Sequence, residues 1–198
     1  AWGHAVGGMG SITQIMKDVC ENKGVEISTN SSVKKIIIEN NKAKGVILED
    51  GSKILSDRVV SNLNPKLLFQ RLVSENDVDP EYLRKILNYK CGSGTFRMNV
   101  ALSELPDFKC LPGKDISEHH KSGIVFAPSL SYMDQAYTDA KQFGWSRNPI
   151  VEMLIPSTVD STLAPEGKHV ASLFCQQFAP KLPENKSWHD EKENAANT

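Results

Sequence analysis

The stretch Val33-Lys34-Lys35-Ile36-Ile37-Ile38-Glu39-Asn40-Asn41-Lys42-Ala43-Lys44-Gly45-Val46-Ile47-Leu48-Glu49-Asp50-Gly51-Ser52-Lys53-Ile54-Leu55 sets the fold class. Three aliphatic runs, 33–39, 43–49 and 53–55, are separated by Asn40-Asn41-Lys42 and by Asp50-Gly51. Asn, Asp and Gly tolerate the left-handed backbone of tight reversals, so each separator reads as a turn. The reading is a three-stranded antiparallel meander.

Moving outward, residues 11–23 carry Ile12, Ile15, Met16 and Val19 at helical spacing, ended by Asn22-Lys23-Gly24. Residues 25–28 and 58–62 read as short strands, the second closed by Asn64-Pro65. Residues 65–73 and 80–88 read as helices, each opened by a proline. Residues 95–102 read as a strand, 103–122 as loop and 131–143 as a helix. Residues 150–155 and 169–178 read as apolar strands joined by segment 156–168. The expected class is mixed α/β.

Lys plus Arg is 23 and Asp plus Glu is 24, a net charge of −1, which argues against a nucleic-acid-binding protein. Hydrophobic residues are 39% and charged residues 24%, which excludes disorder. No apolar run reaches the roughly 18 residues of a membrane span. The chain begins with Ala1 and shows no signal pattern, and residues 188–198 read as a helix without a Gly or Pro terminator. The expectation is a piece of a longer protein.

Cys20, Cys91, Cys110 and Cys175 show no CxxC spacing, so no metal site and no disulfide framework is expected. Cys175, in an apolar strand, reads as packing. His119-His120 reads as a solvated loop pair and His169 as a turn residue. Gly8-Met9-Gly10-Ser11-Ile12-Thr13 falls one residue short of GxGxxG, because Thr13 stands where a third Gly or Ala is wanted. The preceding residues are broken by glycines and form no hydrophobic strand. A turn before a helix is therefore the favoured reading over a phosphate loop.

An ordered set of further stretches carries a resemblance. It comprises Ala1-Trp2-Gly3, Gly7 to Thr13, Gly24-Val25-Glu26-Ile27, Val33-Lys34-Lys35-Ile36, Gly45 to Gly51 and Val59-Val60-Ser61-Asn62. It continues with Phe96 to Leu102, Leu105-Pro106-Asp107-Phe108, Ile155 to Asp160 and Leu163 to Val170. Together these resemble the phytoene-desaturase-like branch of the flavin amine-oxidase superfamily. The resemblance implies a Rossmann-like FAD-binding domain interleaved with an antiparallel-sheet substrate domain. Residues 1–65 would be part of the first and 66–198 part of the second. It implies FAD as cofactor in the longer protein, with Val33 meeting the adenine end through its backbone. Asn62 either lies near the cofactor or only ends its strand. Met9 and Ser11 would line a substrate cavity.

Both terminal glycine motifs that hold FAD in this branch are missing here, so the piece alone is expected not to hold it. The implied activity transfers a hydride from an apolar organic substrate to flavin, as desaturases and dehydrogenases do. The alternative is a flavoprotein-fold regulatory or assembly factor acting through protein partners. The expected location is intracellular, and the animal side of the resemblance implies the mitochondrion.

Overall fold

The computed structural model describes residues 3–92, 94–183 and 185–198. Ala1 and Trp2 of the first quoted motif lie outside the described residues. The chain divides into two compact units, one of Glu21–Cys91 and one of Ala1–Cys20 with Gly92–Thr198.

In the unit of residues 21–91 the meander is present as β1 (Val33–Glu39), β2 (Lys42–Leu48) and β3 (Lys53–Leu55), in the order β1-β2-β3. Both ladders are antiparallel, with Ile36 opposite Val46 and Val46 opposite Ile54. The first turn works because Asn40 and Asn41 both take positive φ, 49° and 60°. That is the twist which brings two strands back together in a two-residue reversal. At the second turn Gly51 has φ 87°, and Asp50 accepts hydrogen bonds from the Ser52 N–H at 2.9 Å and hydroxyl at 2.7 Å. Those bonds hold the Asp50 carboxyl below its usual range, the Ser52 hydroxyl contributing most.

Proline-opened helices follow. Asn64 accepts from the Lys66 N–H at 2.9 Å ahead of α2 (Pro65–Leu67), which runs on into a π-turn over Leu68–Leu72. Asp79 accepts from the Tyr82 N–H at 2.8 Å ahead of α3 (Pro80–Leu87). The expected strands at 25–28 and 58–62 do not form. Both segments lie outside any ladder, and Val25, Ile27 and Val60 are exposed. Aliphatic residues can favour extended backbone, but a strand exists only when a neighbour takes up its N–H and C=O groups.

The other unit opens with the first helix (Gly10–Asn22, α1 in chain order), close to the expected 11–23. Its sheet contains β4 (Thr95–Leu102), β5 (Ile124–Phe126), β6 (Trp145–Leu154) and β7 (His169–Phe178). The order is β4-β7-β6-β5 and every pairing is antiparallel. α4 (Leu130–Phe143) precedes β6, capped by the Ser129 hydroxyl and ended by Gly144 at φ 95°. α5 (Trp188–Ala196) places Trp188 and Ala195 against Cys175 and Phe178. A second cluster joins Leu105, Ile155 and Ala171. The result is a mixed α/β protein with five α-helices and two antiparallel sheets among the described residues. Among the described residues no helix is long and apolar enough to cross a membrane.

β4 and β7 stand where the sequence places them. β5 was missed because three residues carry no periodicity, and the pairing of Ile124 with Met153 makes the strand. β6 starts five residues earlier than expected. Trp145 pairs with Phe178 across a register shift that spans Asn148-Pro149. His120 corrects the solvated-loop reading. It is fully buried, its Nε2 lies 3.0 Å from the Pro106 carbonyl, and its Nδ1 accepts the Ser117 N–H at 3.2 Å. Two ring nitrogens meeting one donor and one acceptor make the imidazole a neutral core crosslink, as a donating Nε2 requires.

Two measurements check these packing arguments. Gly45 has φ 143°, and a Cβ there would lie 2.2 Å from the Ile54 carbonyl oxygen. Gly45→Ala should therefore lower unfolding free energy by about 3 kcal/mol. Gly51→Ala, where nothing lies within 4 Å, should cost only roughly 1 kcal/mol. Urea unfolding reads both, and equal losses would contradict the clash. All four cysteines are free thiols; Cys91 and Cys110 are exposed, Cys175 is buried, and burial pushes its thiol pKa up. A thiol reagent should label Cys91 and Cys110 at once and Cys175 only on unfolding.

Candidate functional site

The segment Gly7-Gly8-Met9-Gly10-Ser11 enters α1 through two left-handed glycines, Gly7 and Gly8, both at φ 85°. Gly8 N–H donates to the Ala5 carbonyl at 3.0 Å, closing one turn, and the Ser11 hydroxyl donates to the Gly8 carbonyl at 2.7 Å. A Cβ at Gly8 would lie 3.2 Å from Leu163 Cδ2. Glycine is therefore needed here both for conformation and for close approach.

What fixes this turn is Asp160. Its carboxylate accepts the Gly7 N–H at 2.8 Å, the Thr162 hydroxyl at 2.7 Å and the Thr162 N–H at 3.0 Å. Asp160 thereby caps the short 3₁₀ turn Ser161–Leu163 and pins a backbone segment 153 residues away in sequence. The residue is buried. Its carboxyl is held below its usual range chiefly by the Thr162 hydroxyl, with burial opposing and the Thr162, Gly7 and Gly8 N–H groups assisting. No residue-by-residue reading singled out Asp160. The signal was present as Asp160-Ser161-Thr162, an acid two residues ahead of a hydroxyl, the pattern of an Asx turn.

A second crosslink lies beside it. The Ser157 hydroxyl accepts the Val170 N–H at 3.1 Å and lies 3.2 Å from His169 Nδ1. The hydroxyl and Nδ1 share one hydrogen bond, and the hydroxyl can either donate to the ring or accept from it while it holds the Val170 amide. His169 is thus held at the start of β7 rather than being only a turn residue. Among the described residues no group of His, Cys, Asp and Glu could hold a metal ion.

Met9 and Ser11 come together at the glycine turn. Met9 is exposed, while Ser11 is half-buried with its hydroxyl spent on Gly8. Val33 and Asn62 belong to the unit of residues 21–91. The Glu49 N–H donates to the Ser32 carbonyl at 2.9 Å, and Val33 faces Leu48. That pattern makes Val33 a non-hydrogen-bonded partner of Leu48. Its own N–H and C=O therefore point away from β2, toward the open edge of the sheet. Asn62 is exposed and sits in irregular backbone before the Asn64 cap.

The Asp160 contacts have a pH consequence. A carboxyl whose folded pKa is depressed stabilises the fold above its unfolded pKa of roughly 3.9. That contribution is lost as pH falls through the lower folded value. Between pH 7 and pH 3, Asp160→Asn should therefore lose less stability than the parent chain. It should also show faster hydrogen exchange at the Gly7 amide. Parallel pH curves for the two proteins would rule out the pin.

Comparison with known proteins places these features. Residues 3–95 match the family of flavin containing amine oxidoreductases. The chain is similar to pyridine nucleotide-disulfide oxidoreductase domain-containing protein 2 of Mus musculus, with 32% identity over 98% of this chain and 34% of that protein. It is 27% identical to a chloroplastic prolycopene isomerase of Daucus carota over 86% of this chain and 25% of that protein. It is 32% identical to a 4,4'-diapophytoene desaturase of a Methylomonas species over 83% of this chain and 30% of that protein. An oxidoreductase from Methanosarcina mazei shares the fold, with TM-score 0.63 and 22% identity over 97% of this chain and 36% of that one. The chain thus spans about a third or less of the length of these relatives. By sequence the chain is similar to the flavin containing amine oxidoreductases over residues 3–95, and over most of its length to a 4,4'-diapophytoene desaturase.

Proposed function

We propose that these residues serve an FAD-dependent oxidoreductase of the desaturase or dehydrogenase type, which takes a hydride from an apolar organic substrate. The observation that carries the reading is the alignment of nearly the whole chain with flavin-family relatives, one of them a desaturase. In this reading residues 1–65 belong to the FAD-binding domain and 66–198 to the substrate domain. Bound flavin supplies the two-electron acceptance that side chains lack.

The chain's own residues then bind and position. Val33 offers its outward N–H and C=O to the adenine end, with Asn62 near the same cofactor. The glycine turn presents Met9 and Ser11 to the substrate, and Asp160 keeps that turn in place. The Gly8–Thr13 stretch lacks the third small residue of a pyrophosphate loop, so the flavin phosphates would be held elsewhere.

A second reading has one observation in its favour, the similarity to a prolycopene isomerase. In that case the substrate would be isomerised without net oxidation.

A longer protein of the relatives' length should purify yellow. Anaerobic addition of 4,4'-diapophytoene or another apolar polyene should bleach the flavin absorbance if dehydrogenation is the reaction. An isomerised product at unchanged oxidation level would select the second reading, and a colourless protein would defeat both. Val33→Ala should keep the colour and Val33→Pro should lose it, because only the second removes an N–H. Met9→Trp should keep the colour and lower turnover about tenfold, by misplacing substrate near the reacting centre.

A further inference from the structure

We propose that the cleft between the C-terminal half of α4 and the end of β7 binds an apolar molecule through an acidic end group. The cleft holds about 470 Å³, within the usual range for small-molecule sites. Its walls bring the rings of Tyr137 and Phe174 together with Ala140, and its polar side chains include Thr95, Lys141, Gln176 and Gln177. The flavin residues discussed above take no part in it.

Three features point to a ligand. The first is backbone strain. Gln177 lies within β7 yet has φ 70°, in the left-handed region that a non-glycine residue adopts at a cost of roughly 1 kcal/mol or more. The residue is half-buried and lines the cleft, and its solvent-open side-chain amide makes no hydrogen bond among the described residues. The second is a shape that depends on one residue. A Cβ at Gly94, just before β4, would lie 2.3 Å from the Phe178 carbonyl oxygen, so the chain reaches this wall of the cleft only as glycine.

The third feature is charge. Lys141 Nζ lies 5.1 Å from the Tyr137 ring centroid, and no carboxylate pairs with it among the described residues. The Arg97 guanidinium stands 5.7 Å from the ring centroid of Phe174, a wall of the cleft. Glu152, across the ladder from Phe174, is already engaged by the side-chain amide of Gln176. The amide leaves the Glu152 charge in place, so the local balance is two cations against one carboxylate. An aliphatic or aromatic body against Tyr137 and Phe174, with its carboxylate on Lys141 and accepting from the Gln177 amide, satisfies all of these groups.

The test is a nuclear magnetic resonance titration of the chain with decanoate, decanol and decyltrimethylammonium. Decanoate should saturate and shift backbone amides within 137–141 and 174–180. Decanol should bind at least tenfold more weakly, and the cationic amphiphile should not compete. Lys141→Met should weaken decanoate about tenfold, the loss of one charge-assisted hydrogen bond, and leave decanol unchanged. Gln177→Gly, which keeps the left-handed backbone and removes the amide, should weaken decanoate two- to threefold, roughly the low end for one hydrogen bond. The proposal is overturned if decanol binds as tightly as decanoate, if Lys141→Met has no effect, if shifts fall outside the cleft, or if no saturable binding occurs. Flavin is absent from every arm, so failure here leaves the oxidoreductase reading untouched.

Discussion

In the larger unit everything depends on β7 having a partner on each side. Its residues pair with β4 from His169 to Gln176 and with β6 from Ser172 to Gln176 and at Phe178. Over Ser172–Gln176 the strand is flanked on both sides, which leaves few backbone groups to solvate and lets an apolar run stand there. The packing follows from that placement. Cys175 and Phe178 meet α5, Ala171 meets Leu105 and Ile155, and the His169 end is tied to Ser157. The short turn carrying Asp160 hangs on the same segment, between β6 and β7, so the pin on Gly7 is referred to the sheet through one loop.

The parts legible in the sequence were those whose cause is local. Asn40-Asn41 and Asp50-Gly51 specify turns by their own backbone preferences, so the meander could be read residue by residue. Pro65 and Pro80 mark helix starts for the same reason, and the helix ending at Gly144 is bounded by its cap. The parts that were not legible depend on partners distant in sequence. Residues 25–28 and 58–62 carry strand-like side chains but meet no neighbour, and 124–126 carry a weak pattern but meet β6. His120 was read as solvated because a His-His pair in a polar loop gives no sign of the Pro106 carbonyl waiting for it.

The same division holds at the candidate site. The glycines before α1 were visible, and so was the need for a turn. The agent that holds the turn was not, because Asp160 acts across 153 residues. For Val33 the resemblance suggested recognition through backbone, and the ladder supplies a reason that such a role is physically available. The pairing with Leu48 turns its peptide groups outward, so an ordinary aliphatic side chain can face its own sheet while its main chain is offered elsewhere.

That outward edge carries a hazard of its own. β1 is the outer strand of its sheet among the described residues, and it contains Ile36-Ile37-Ile38, a run with strong tendency to recruit another strand. Lys34 and Lys35, both exposed, stand immediately before it and make stacking of identical chains electrostatically unfavourable. A molecule seated along the start of β1 would cap the same open ladder. Occupancy of that edge would then guard against fibril growth as well as serving recognition, and the lysine pair would be the safeguard when the edge is bare.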